Sequence, residues 1–193
     1  MADEYRIWKA VAGPGVCSLA SIEGFDAPWD LIRGRPLRSR LPKDVRYPMK
    51  PSRPRDTKLV DCVENAGLAV VVSKRVAEFL RTKKIPEVEY IPASIVNHKG
   101  RVASADYFIV NILAIQDCLD LARSNPTYNH INKVEIDRVE KLVLDEKKID
   151  PTLPLFRMKN YYRHVLVGAK LAAEIAEQGF TGFELMTFDE FEP

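Results

Sequence analysis

Acid–base or metal chemistry in this chain would have to come from three histidines, His98, His130 and His164, or from one local pair of carboxylates, Asp117 and Asp120. Histidine titrates nearest neutral pH and is the commonest metal ligand. His98 stands in a turn signal with Lys99-Gly100, His130 in a polar loop, and His164 just ahead of an apolar run. No HExxH or HxH spacing and no adjacent cysteine or acid completes a ligand set around any of them, so they read as surface or strand-edge side chains. On a helix Asp117 and Asp120 would share a face, with Arg123 three residues beyond Asp120. An i, i+3 ion pair on a solvated face is a simpler account of them than a metal or acid–base pair. Ser73 sits between an apolar run and a helical pattern without the flanking glycines of a nucleophile elbow, which makes it a helix N-cap. With no GxGxxG, Walker or GxSxG motif either, the chain carries no catalytic, cofactor or metal signature and reads as a non-enzyme.

The one sharp binding signal is electrostatic. Between Arg33 and Lys58 there are ten basic residues (Arg33, Arg35, Arg38, Arg40, Lys43, Arg46, Lys50, Arg53, Arg55 and Lys58) against Asp44 and Asp56, a net of +8. The whole chain carries only +2, so the remainder carries −6. Five prolines in the same stretch (Pro36, Pro42, Pro48, Pro51, Pro54) remove backbone donors and fix φ, so neither a helix nor a central strand can run through it. Residues 33–58 are therefore expected to form a proline-stiffened arm whose Arg33, Arg35, Arg38, Arg40, Arg46, Arg53 and Arg55 are candidate partner contacts. Arginine suits both carboxylate and phosphate. The arm could meet an acidic protein surface or nucleic acid, or lie as a solvated loop over an acidic body. Its single aromatic residue, Tyr47, argues against base stacking and hence against nucleic acid.

The elements that must position these groups are legible in part. Tyr5 to Val11 alternates like a half-buried strand, Gly13-Pro14-Gly15 ends it, and Val16 to Ile22 is expected to pair back as a hairpin. Val60 to Ala66 predicts a short helix. Leu68–Val72 is a continuous apolar run suited to a buried strand, followed by a helix with Val76, Phe79 and Leu80 on one face and then a strand at 88–92. That unit, residues 70–91, recurs offset by 95 as residues 165–186: Val72 answers Val167, Ser73 Gly168, Val76 Leu171, Leu80 Ile175, and Glu89 Glu184. Between the copies, Tyr107 to Leu113 predicts a strand, Ile115 to Ala122 a short helix, and the pairs Val134/Ile136 and Leu142/Leu144 two partly exposed strands. At about 22 residues each copy is short for a crossover between adjacent parallel strands, so another strand is expected between its members.

An α+β fold follows: a mixed sheet with two strand-helix-strand units related by a weak internal repeat, plus a small β and irregular N-terminal region. The expected organisation is residues 1–67 as N-terminal strands and arm, and 68–193 as an α+β domain. Cys17, Cys62 and Cys118 are odd in number and far apart, excluding a disulfide framework or CxxC site and pointing to a reducing, cytoplasmic setting. The N-terminus does not read as a signal peptide, and no apolar run is long enough to span a membrane. Self-association leaves no mark in the sequence.

From Leu68 onward the order of motifs resembles the myxococcal-type immunity protein family of bacterial polymorphic-toxin loci. The resembling pieces are Val70-Val71-Val72-Ser73 with its helix, Val88-Glu89-Tyr90-Ile91-Pro92, Tyr107-Phe108-Ile109-Val110-Asn111, Asp120 through Ser124, Lys141-Leu142-Val143-Leu144-Asp145, Leu155-Phe156-Arg157, and Val165-Leu166-Val167 leading to Gly179-Phe180-Thr181-Gly182-Phe183-Glu184. Upstream, Gly34-Arg35-Pro36-Leu37 is similar to the family's N-terminal signature. The resemblance implies a non-enzymatic protein that binds and neutralises a cognate toxin or effector. It also implies that Asn111, Asp120, Ser124 and Arg157 are structural, tying loops to the sheet through side-chain to backbone bonds. A nucleic-acid-associated protein using residues 33–58 is the alternative.

Overall fold

The computed structural model describes residues 4–191. Two mixed sheets and a small hairpin are built from eleven strands, with three helices. In the five-stranded sheet the order is β11 (Phe183–Met186), β1 (Tyr5–Ala10), β10 (Tyr161–Gly168), β9 (Leu155–Met158) and β6 (Ile115–Gln116). Neighbours are antiparallel except for β6 beside β9. The four-stranded sheet runs β2 (Arg46–Pro48), β4 (Val88–Val96), β5 (Val102–Ile112), β3 (Val70–Ser73), with β2 parallel to β4 and the rest antiparallel. β7 (Pro126–Tyr128) and β8 (Ile136–Val139) form the separate hairpin.

The valine run of β3 is apolar at every position because both faces of its sheet are covered. Val70 and Val72 enter one core with α1 (Lys74–Thr82), α3 (Ala169–Ala176) and the five-stranded sheet. Val71, with Ile91, Ile95 and Ile109, enters a second core made with Leu37, Leu41, Val45, Tyr47 and Met49 of the arm. The arm thus clothes the outer face of the four-stranded sheet. Pro48 is accommodated because β2 is an edge strand, where a missing N–H breaks no interior ladder, and the arm's other four prolines lie outside strands.

Each of the two similar segments forms strand, helix and strand, and in each an antiparallel strand lies between the members. Val110 of β5 is flanked by Val70 and Tyr90; Trp8 of β1 is flanked by Val165 and Leu185. In each sheet the intervening strand thus meets positions 20 residues apart, and the two pairs are offset from one another by 95. α1 and α3 bury Val76, Ala77 and Leu80, and Leu171, Ala172 and Ile175. Lys83 pairs with Glu174 at 2.7 Å, and Phe79 meets Phe180 edge-on at 5.6 Å.

Several local expectations give way. Val16–Ile22 does not fold back on β1, which is occupied on both edges by β10 and β11; it makes only isolated bridges to Lys58, Met49 and Asn65. Val60–Ala66 is extended, not helical, held by Cys62 N to Thr181 O at 3.0 Å and Val63 N to Val71 O at 3.0 Å. The helix expected over Ile115–Ala122 is replaced by β6 and the one-turn α2 (Leu121–Ser124), since Arg157 N donates to Ala114 O and Lys159 N to Gln116 O. Of the two partly exposed strands, β8 forms, whereas Leu142–Leu144 contributes a single bridge from Leu144 to Leu119. No helix among the described residues is long and apolar enough to cross a membrane.

Candidate functional site

The basic arm is fastened by its backbone. Glu89 Oε2 accepts from Leu37 N at 2.9 Å and from Asn111 Nδ2 at 2.8 Å, while the same Asn111 amide donates to Arg35 O at 2.9 Å. Gly34 makes the close approach possible: at φ +64° a Cβ there would lie 2.5 Å from Ile115 Cγ1 and 2.7 Å from Leu113 O. The Gly34-Arg35-Pro36-Leu37 segment is therefore wedged against β4 and β5 by one glutamate and one asparagine.

Four of the seven candidate arginines are engaged by carboxylates of the same chain. The buried Asp30 receives Arg35 at 3.2 Å and Arg40 at 2.6 Å; Arg46 meets Glu23 at 3.2 Å, and Arg33 meets Glu135. The others face outward. Arg38 donates to Tyr90 O at 3.2 Å and Arg53 to Ser18 Oγ at 3.2 Å, while exposed Arg55 has no hydrogen bond or ion pair among the described residues. Tyr47 is fully buried in the core under the arm and is unavailable for stacking on a base.

A second polar centre, absent from the sequence reading, gathers around Asp61. Its carboxylate accepts from Arg75 Nε and Nη2, both at 2.6 Å, from Ser73 Oγ at 2.8 Å, and from Thr181 N and Oγ1 at 2.9 Å. Burial pushes this carboxyl's pKa up, but the bonds from Arg75, Ser73 and Thr181 outweigh it and hold the group well below the usual carboxylate range. Ser73 does occupy the N-cap position, but its hydroxyl is turned to Asp61 and makes no capping bond. No motif flagged Asp61, because its partners lie 12, 14 and 120 residues away.

The four positions suggested by the family resemblance bind backbone. Beside Asn111, Asp120 Oδ1 accepts Arg123 N at 3.0 Å as the N-cap of α2. Ser124 Oγ exchanges hydrogen bonds with Val143 O and N, each 3.2 Å. Arg157 is buried at 1% exposure and donates to Tyr162 O at 2.6 Å and Leu68 O at 2.9 Å. Burial pushes its pKa down to about 9, which leaves the guanidinium protonated at neutral pH.

The remaining candidates are dispersed. Asp117 pairs with Lys159 at 3.0 Å and Asp120 with Arg123 at 2.6 Å, each with its own cation. His98 and His130 are exposed in separate loops. His164 packs against the rings of Tyr161 and Phe191 at 5.2 and 5.3 Å, in the wall of a cleft of about 700 Å³ also lined by Trp8, Cys62, Glu64 and Leu68. Burial raises the thiols of Cys17 to about 11 and of Cys62 and Cys118 to about 12, so none is a ready nucleophile. Among the described residues no three His, Cys, Asp or Glu side chains are grouped to hold a metal ion. The hairpin loop between β7 and β8, unmarked in the sequence reading, exposes Ile131 and Val134 at 96% and 61%. Two apolar residues inside an asparagine-rich turn were the available signal.

The outward charge of the arm and the exposed apolar residues of the hairpin are carried on an α+β frame of two mixed sheets. The chain belongs to the immunity protein family Imm11, which it matches over residues 4–190. No curated protein matches it. Membership of an immunity family implies a cognate toxin as partner, and such families are generally non-enzymatic.

Proposed function

We propose that this protein neutralises a cognate toxin by forming a stoichiometric complex with it in the cytoplasm. The observation that carries the reading is membership of an immunity family over nearly the whole chain. The motif order from Leu68 onward supports placing it with the myxococcal-type members of polymorphic-toxin loci.

The basic arm supports an acidic toxin surface as the target. Arg38, Arg53 and Arg55 point away from internal carboxylates and are the forward contacts, while Arg33, Arg35, Arg40 and Arg46 shape the arm through their ion pairs. In this reading residues 68–193 supply the frame and residues 1–67 complete and clothe it. We take the frame to be an internal repeat, a view supported by the shared 95-residue offset at Val70/Val165 and Tyr90/Leu185 around a central strand. Two copies of one unit joined through a common core make a stiff platform, which lowers the entropy lost when a partner docks.

Co-expression with the toxin gene encoded alongside is the direct test. Growth should be restored when this protein is present, and continued killing despite soluble, folded protein would sink the proposal.

A further inference from the structure

We infer that the tip of the β7–β8 hairpin, residues 128–135, is the apolar anchor of the toxin complex, with Ile131 and Val134 entering an apolar depression rimmed by carboxylates on the toxin domain. The inference rests on the immunity reading above. Of the large apolar side chains exposed among the described residues, three fall within seven consecutive positions: Tyr128 at the end of β7 and Ile131 and Val134 in the loop, 43%, 96% and 61% exposed. The Ile131 side chain adds nothing to the core, and only its backbone N–H serves the turn, so its apolar surface is available to a partner. Clustered exposed apolar groups on a soluble fold mark interaction sites, whereas single ones need no explanation.

The loop is held in one shape before any partner arrives. Asn129 Oδ1 accepts from Ile131 N at 2.9 Å and Asn132 N at 2.8 Å, and Asn129 Nδ2 donates to Asp137 Oδ1 at 3.0 Å. Glu135 N donates to Asn132 O at 2.9 Å and Asn129 N to Glu135 O at 2.8 Å, closing the turn. The base is pinned by Ile136 N to Asn160 O at 2.8 Å and Arg163 Nη1 to Asp137 O at 3.1 Å. Presenting an anchor on such a loop spares the ordering entropy that a floppy one would lose on binding.

Charge selects the partner's chemistry. Glu135 is neutralised by Arg33, and Asp137 is occupied by Asn129. Lys133, Arg138 and Arg163 have no carboxylate partner among the described residues and outnumber the one carboxylate without a cation, Asp137, so the collar around the apolar tip is net cationic. The Arg33 to Glu135 pair ties this collar to the first residue of the basic arm. A toxin face with an apolar pocket and an acidic rim complements it.

The test titrates the intact protein with a catalytically inert form of the toxin domain encoded beside its gene. Ile131→Asp and Val134→Asp should each weaken binding by about 30-fold or more, the range of a central anchor residue, with melting temperatures unchanged. Val102→Asp, which alters an apolar residue 54% exposed on β5, should leave binding within about threefold of the original. Full affinity in both tip variants would overturn the inference while leaving the immunity reading intact. Failure of the unaltered protein to bind would instead remove that reading, and the anchor with it. Sedimentation as a dimer that Ile131→Asp disperses would assign the tip to a second copy of this chain and also overturn it.

Discussion

Arg75 clasps Asp61 with both arms of its guanidinium fork, Nε and Nη2 each lying 2.6 Å from a carboxylate oxygen. The same Nη2 reaches Gly179 O at 3.2 Å, and Thr181 closes the other side of the carboxylate at 2.9 Å. Ser73 and Arg75 belong to the first strand-helix-strand unit, Gly179 and Thr181 to the second, and Asp61 to the segment that leads out of the arm. One buried carboxylate therefore fastens all three pieces. Arg75 is 54% exposed at its side chain, so solvent screens the ion pair, and the bonds from several donors matter more than the Coulomb attraction.

Replacing that carboxylate should be expensive and pH-specific. Asp61→Asn keeps the volume but strands several donors, and about 2–4 kcal/mol of stability should be lost at pH 7 in urea unfolding. Because the folded pKa of Asp61 is depressed, the unfolded chain binds more protons in the acid window. Its stabilisation is complete above about pH 4, the ordinary aspartate range, and fades as pH falls toward the folded value. The acid limb of the stability curve below about pH 4 should be shallower in Asp61→Asn. An unchanged limb would refute the role assigned to this carboxylate.

His164 governs a different window. Burial, then the nearby cations Arg157, Arg163 and Lys9, lower its pKa to about 4. A histidine held neutral in the fold but free to protonate when unfolded contributes stability that is full above its unfolded pKa, about 6.5, and declines as pH falls toward 4. The steepest slope should approach about 1.4 kcal/mol per pH unit. His164→Gln should flatten the curve between those limits and leave the more acidic region, where Asp61 acts, unchanged. Chemical denaturation at half-unit pH steps separates the two.

The glycine wedged under the arm makes a sharper steric forecast. Gly34→Ala places a methyl group into Ile115 and the Leu113 carbonyl at a left-handed φ, and should cost about 3 kcal/mol. Gly100→Ala has a similar φ of +72° but meets nothing within 4 Å, so only the backbone term of about 1 kcal/mol applies. Equal midpoints for the two variants in thermal melts would show that the arm is not packed as described.

How much of this was legible depended on how local its causes are. The unit β3-α1-β4 could be read because valine run, junction serine and helical apolar spacing lie within 27 consecutive residues. Prolines correctly excluded a helix or central strand from the arm, since that effect resides in each residue alone. β1 was recognisable as a strand, yet nothing near it in sequence tells that Val165 and Leu185 flank Trp8. Val60–Ala66 and Ile115–Ala122 carried helical spacing but were drawn straight by backbone partners, the carbonyls of Thr181 and Val71 and the N–H groups of Arg157 and Lys159, a tertiary override of weak propensity. Asn111 and Arg157 came through resemblance, whereas Asp61 and the Ile131 tip required the folded surface to be seen. The arm's charge was fully countable, but its division between inward and outward arginines was not.

That division makes a kinetic prediction about the outward set. Arg38, Arg53 and Arg55 are exposed and without carboxylate partners among the described residues, so their field extends into solvent and should draw an acidic toxin face during encounter. The triple change to glutamine should slow association about tenfold at low salt and leave dissociation nearly unaltered. The gap should close as ionic strength rises, because the screening length shrinks to about 8 Å at 0.15 M. The double change of Arg35→Gln with Arg40→Gln acts differently: it removes both cations from the buried Asp30, so its effect should appear in stability and persist in salt. Stopped-flow association across a salt series, with unfolding of the same variants, discriminates steering from scaffolding. A salt-independent rate defect in the triple variant would place those three arginines in the scaffold instead.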